Sequence, residues 1–291
     1  MRRWLSLLVV LIATSRSVHA AERPWNVVLI LADDLGWTDL GCYGSDFYET
    51  PHIDRLARDG MRFTQNYSAC TVCSPTRAAL LTGKSPARLH ITDWIPGLVP
   101  DNPKLLPPDW TKHLPLAETT LAERFRSADY VTASIGKWHL GTEAFYPEQH
   151  GFDVNIAGTD KPQPGSYFAP WKIPTLSDGQ PGDYLTDRLA EEAVRFLDSV
   201  GERPFFLYCP HFAVHTPIQA RTELVKKFQA RLSFAPASRT PMRLMRPCWS
   251  ASTTPSVVCA TNSPNAASRT APSSCLLLTT AVAFPRRRIG R

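Results

Sequence analysis

The chain has 291 residues, 43% of them hydrophobic, enough apolar material for one large α/β domain or two smaller ones, which excludes general disorder. Its formal net charge of +6 is concentrated at one end. Residues 231–291 hold nine arginines and no acidic residue, while residues 1–230 carry 23 basic against 26 acidic residues, so the body of the chain has no excess of basic charge for nucleic acid.

The N-terminus reads Met1-Arg-Arg-Trp4, then an apolar run from Leu5 to Ala13, then small residues at Val18 and Ala20. Two positive charges before an apolar run too short for a stable anchor predict a signal peptide over residues 1–20, cleaved near Ala20. The mature protein is expected to be exported, periplasmic or extracellular, with no stable membrane insertion.

Val27 to Leu31 is a continuous apolar run, the pattern of a strand buried on both faces, and it stops at Asp33 and Asp34. Open α/β sheets keep their sites at the carboxyl ends of such strands. Thr50, Pro51 and Gly60 supply the cap, first residue and stop of a short helix. A second helix starts over Ala78 to Leu81 after Pro75, and Thr120 with Glu123 forms a capping box for a third. Tyr130 to Ile135 is the next strand and ends at Gly136, Lys137, Trp138 and His139. Asp183 to Val200 carries a helical apolar stripe, and Phe205 to Tyr208 is a third strand, followed by His211 and His215. Three buried strands thus each end in polar residues able to converge.

Cys70 and Cys73 raise the question of a redox pair or half a zinc site. Seven cysteines are too sparse for a disulfide scaffold. No second Cys-x-x-Cys or finger-spaced histidine pair lies within reach, and a redox pair leaves Pro75 and Arg77 unexplained.

The segments Leu31-Ala-Asp-Asp-Leu-Gly36, Thr50-Pro-His-Ile-Asp-Arg-Leu-Ala57, Cys73-Ser-Pro-Thr-Arg77 with Leu81-Thr-Gly-Lys84, Gly136-Lys-Trp-His-Leu-Gly141 and His215-Thr-Pro217 resemble, in this order, the type I sulfatases. The resemblance covers about residues 24 to 229 and implies an α/β, alkaline-phosphatase-like fold, with a mixed, mostly parallel sheet flanked by helices, incomplete at the C-terminus. It also implies oxidation of Cys73 to formylglycine by a formylglycine-generating enzyme, with Cys70 left unmodified. Asp33, Asp34 and modified Cys73 would bind Ca²⁺. Arg77 would hold the hydrated aldehyde, and Lys137 would clamp sulfate oxygens. His215 would donate a proton to the departing alcohol, and His139 would remove the second gem-diol proton to expel sulfate. The substrate would be a sulfated small molecule or polysaccharide. The alternatives are a phosphonate or phosphodiester hydrolase on the same scaffold, or a non-catalytic remnant. His52 stands where the family usually has asparagine, Lys84 is read as structural, and His150 and His211 are read as satisfied structural histidines.

The catalytic part is expected over residues 21–230 and an aberrant, disordered tail over 231–291. The family pattern calls there for a second pair of metal ligands in an Asp-Asn-Gly-Gly segment and for a lysine on sulfate, and neither is present. Read from the third base of each codon, Leu278 to Val282 admits Asp-Asn-Gly-Gly. A frameshift near residues 231–240 is therefore expected.

Overall fold

The computed structural model describes residues 24–98, 101–106, 108–233 and 273–279. The expected signal peptide and most of the expected tail lie outside them. Among the described residues no helix is long and apolar enough to cross a membrane.

Five strands make one sheet in the order β3-β2-β4-β1-β5. They are β1 (Asn26–Ala32), β2 (Val131–Ile135), β3 (Val154–Ile156), β4 (Phe205–Pro210) and β5 (Ser273–Thr279). Every ladder between them is parallel, so the antiparallel component expected of a mixed sheet is absent among the described strands. β1, β2 and β4 bury both faces, and the period of two sorts their side chains into two cores. Val28, Ile30, Leu207 and Cys209 face one way, against Leu189, Ala193 and Phe196 of α5 (Leu185–Ser199). Leu29, Leu31, Phe206 and Tyr208 face the other way. They meet Ala78 and Leu81 of α2 (Cys73–Thr82) and Ala122 of α4 (Leu121–Ser127). Each such fully buried Leu or Phe stabilises the fold by about 1.5–3 kcal/mol.

Local signals place the helices. Glu123 N–H donates to Thr120 Oγ1 at 3.2 Å and Thr120 N–H to Glu123 Oε2 at 2.7 Å, the reciprocal cap expected at α4. Thr50 precedes α1 (Pro51–Asp59), but its hydroxyl is used differently from the expected cap. It accepts from Gly41 N–H at 2.9 Å and donates to Asp54 Oδ1 at 2.8 Å, pinning the turn that follows β1. Helix α2 starts at Cys73, five residues before the expected Ala78, because Pro75 sits in its first turn, where a missing N–H costs nothing. A one-turn α3 (Pro86–Leu89) follows.

Helix α6 (Thr222–Ser233) runs past the expected boundary at residue 230. Arg231 donates to Phe47 C=O at 3.1 Å and pairs with Glu49 at 2.7 Å, while Phe228 packs on Phe47. Within the stretch expected to be a disordered tail, residues 273–279 form β5 and pair with β1 from Asn26↔Ser273 to Ala32↔Thr279. That strand ends level with the residue before Asp33.

Candidate active site

The carboxyl ends of β1, β2 and β4 and the N-terminus of α2 meet at one point. Beyond β1, Asp33 N–H donates to Ala213 C=O at 3.0 Å and Val214 N–H to Asp33 C=O at 2.7 Å, so the loop after β4 is stitched to the acidic pair. Beyond β2, Gly136 adopts φ +134°, and a Cβ there would sit 2.0 Å from Pro210 O. Only glycine lets the two strand ends approach this closely. Lys137 N–H then reaches Pro210 C=O at 2.7 Å, which turns the Lys137 side chain into the sheet end.

The result is a buried cluster of one anion and two cations. Asp33, Arg77 and Lys137 are each at most 1% exposed. Lys137 Nζ donates to Asp33 Oδ2, Arg77 Nη2 lies 3.2 Å from Asp33 Oδ1, and Arg77 Nη1 donates to Lys137 C=O at 2.7 Å. Burial by itself pushes the Asp33 carboxyl up, but Lys137 and Arg77 outweigh it and lower its pKa to about 2. Arg77 Nη2 and Asp33 Oδ1 meet as an ion pair without a well-directed hydrogen bond, and Arg77 Nε makes none. Asp33, Arg77 and Lys137 together carry one more positive than negative charge. The Tyr208 hydroxyl is buried beside that guanidinium.

Cys73 is half-buried at the first position of α2, and its Sγ lies 3.3 Å from His139 Nδ1. His139 is buried, with Nε2 against Ile95 C=O. Burial, then the Lys137 charge, lowers its pKa to about 3, so the imidazole is neutral at ordinary pH. His215 stands on the open side, its Nε2 3.8 Å from Asp34 Oδ2. The Asp34 carboxyl is raised by burial and then by the Asp33 charge.

All seven residues singled out from the sequence (Asp33, Asp34, Cys73, Arg77, Lys137, His139 and His215) therefore sit at this junction. Cys70 and Cys73 are both free thiols. Lys84 lies elsewhere, paired with Glu118. His150 and His211 are buried, but the expectation that they are satisfied fails. Both ring nitrogens of His150 and Nδ1 of His211 make no hydrogen bond to another described residue, and Trp138 packs against the His150 ring. Sequence reading missed Ser74, Ile95 and Tyr208. Ser74 and Tyr208 lie inside quoted segments, but only the folded contacts give them a part.

Two adjacent carboxylates, Asp33 and Asp34, offer hard oxygen ligands of the kind a divalent cation takes. Among the described residues no group of three His, Cys, Asp or Glu converges where a metal ion could be held.

A family profile described as Sulfatase matches residues 25–265. N-acetylgalactosamine-6-sulfatase of Canis lupus familiaris is 36% identical over 250 residues, covering 74% of this chain and 44% of that protein. Arylsulfatase A of Homo sapiens is 46% identical over 136 residues, covering 46% of this chain and 25% of that protein. The chain spans about half the length of the N-acetylgalactosamine-6-sulfatases it matches. Among solved structures, Ps i-CgsB in complex with a neocarrahexaose superposes with TM-score 0.66 at 26% identity, covering 90% of this chain and 61% of that one. BT4656 in complex with D-glucosamine-2-N,6-O-disulfate superposes with TM-score 0.55 at 26% identity, covering 74% and 40%.

Proposed function

Because the chain belongs to the sulfatase family, with an alkaline-phosphatase-like α/β fold, we propose that it is built to hydrolyse sulfate esters at Cys73. One observation carries this reading. Cys73 Sγ lies 3.3 Å from a neutral His139 at the start of α2, and Arg77, one turn further on, joins Lys137 as a buried pair of cations around Asp33. A tetrahedral sulfate group is the kind of anion that such a pair of cations stabilises.

Formylglycine made from Cys73 supplies, as its hydrate, the oxygen that attacks sulfur. Arg77 and Lys137 hold negative charge at residue 73 and on the sulfate oxygens. His215, on the open side, gives a proton to the alcohol oxygen as its bond to sulfur breaks. His139 presents its Nδ1 to residue 73 and would accept the second gem-diol proton there as sulfate leaves. Overall one water is consumed, and one alcohol and one sulfate are released. Asp33 and Asp34 would hold a Ca²⁺ ion, which would keep the attacking oxygen deprotonated.

The missing second pair of metal ligands supports a second reading for the 291-residue chain, a body that folds but turns over poorly. β5 ends level with Ala32, and the codons that a shifted frame reads as Asp-Asn-Gly-Gly begin within it, at Leu278. Export and maturation by a formylglycine-generating enzyme belong to the same proposal.

The test is co-expression with that enzyme, peptide mass analysis of Cys73, and turnover of aryl sulfates, sugar sulfates and matched phosphate esters. The expected result is an aldehyde at residue 73, an intact Cys70, and preference for sulfate esters in a frame-restored chain. A correctly modified, frame-restored chain that cleaves only phosphate or phosphonate esters would refute the assignment.

A further inference from the structure

Taking the role of His139 from the sulfatase reading above, the geometry points to Ser74 as the positioning residue that aims the His139 ring at residue 73. Ser74 is fully buried, and its hydroxyl joins three segments of chain. Its Oγ donates to His139 C=O at 3.0 Å, accepts from Ile95 N–H at 3.2 Å and lies 3.4 Å from His139 Nδ1. The carbonyl of the same Ile95 meets His139 Nε2. Ser74, Ile95 and His139 thus close a ring of contacts between α2, the loop before Pro96 and the turn after β2.

This ring settles which nitrogen does what. A carbonyl oxygen only accepts, so Nε2 carries the proton and Nδ1 keeps the lone pair. Nδ1 is the atom beside Cys73. The Ile95 carbonyl sets the tautomer, and the Ser74 hydroxyl holds the N–H of the same residue. His139 also has φ +60°, a left-handed backbone that a histidine keeps only when the surroundings hold it. Its N–H donates to Thr159 C=O at 2.9 Å, and its C=O accepts from the Ser74 hydroxyl. Without the hydroxyl, Ile95 N–H and His139 C=O lose a buried partner together, and the imidazole is free to turn.

The test needs no turnover. In a ¹⁵N-labelled 291-residue chain, the His139 Nε2 proton, assigned by its loss in His139→Asn, is expected to be protected from exchange with water. The Trp138 indole N–H, which donates to Phe145 C=O at 2.7 Å on the adjacent residue, serves as the local control. Ser74→Ala should speed exchange at His139 about tenfold or more while leaving Trp138 unchanged, and Ser74→Thr, which keeps the hydroxyl, should restore protection. Unchanged protection at His139 in Ser74→Ala, simultaneous loss at Trp138, or failure of threonine to restore it would each overturn the assignment. In an active, frame-restored chain normalised for aldehyde content, Ser74→Ala should lower kcat by about a hundredfold, the cost of a misplacement near 1 Å, with KM changed less than about twofold. A rise in KM at constant kcat would overturn it as well. A protein that cleaves no sulfate ester refutes the sulfatase reading but leaves the exchange result to decide the role of Ser74.

Discussion

Replacing Lys137 by methionine keeps the length and most of the volume of the side chain and removes one of two positive charges from a site closed to water. Lys137 and Asp33 are 0% and 1% exposed at their side chains, so solvent offers the orphaned carboxylate nothing. Removing one partner from such a buried pair costs about 3–5 kcal/mol. Arg77 Nη2 remains 3.2 Å from Asp33, which places the expected loss near the lower end, at about 3 kcal/mol. For a chain of this size that lowers Tm by roughly 6–12 °C. The measurement is urea unfolding of the 291-residue chain in buffer free of divalent metal. Asp33→Asn leaves two neighbouring buried cations and should cost a similar amount. The double variant should lose less than the sum of the single losses, by about 2 kcal/mol or more, because the same contact is broken twice. A Lys137→Met loss below about 0.5 kcal/mol, or strict additivity in the cycle, would refute the buried-cluster reasoning.

Gly136→Ala puts a Cβ 2.0 Å from Pro210 O at φ +134°, so it should cost about 3 kcal/mol or more by urea midpoint, from strain plus separation of the two strand ends. His150 and His211 each have a pKa lowered from 6.5 to about 4 by burial. The unfolded chain therefore binds protons that the folded chain does not, and stability that is fully present above about pH 6.5 is lost as pH falls towards 4. Each histidine should remove about 2 kcal/mol between pH 7 and pH 5, and His150→Phe should flatten its share of that slope; an unchanged slope contradicts the account. Calorimetric titration should find no stoichiometric Ca²⁺ on the 291-residue chain and one ion on a chain read in the shifted frame through Asp-Asn-Gly-Gly. Stoichiometric binding by the former would remove the case for a frameshift, as would an unshifted frame on resequencing codons 225–291.

Sequence alone determined what depends on neighbours in the chain. The apolar run at Val27 to Leu31, the reciprocal cap of Thr120 and Glu123, and the stripe of α5 are local patterns, and each forms close to where it was expected. The five ordered segments were also enough to name the family and the seven residues that meet at the sheet end, because the chemistry needed there constrains residue type at fixed spacing. Tertiary structure decided what depends on approach between distant segments. That Arg77 and Lys137 share Asp33 follows from the missing side chain of Gly136, which lets β2 and β4 close up. That Nδ1 of His139 faces Cys73 follows from the contacts of Ser74 and Ile95. The orphaned nitrogens of His150 and the place of β5 beside β1 likewise carry no local signature. A hydrogen bond between residues far apart in the chain leaves no pattern in either segment, because each donor and acceptor would be equally content with water until packing excludes it.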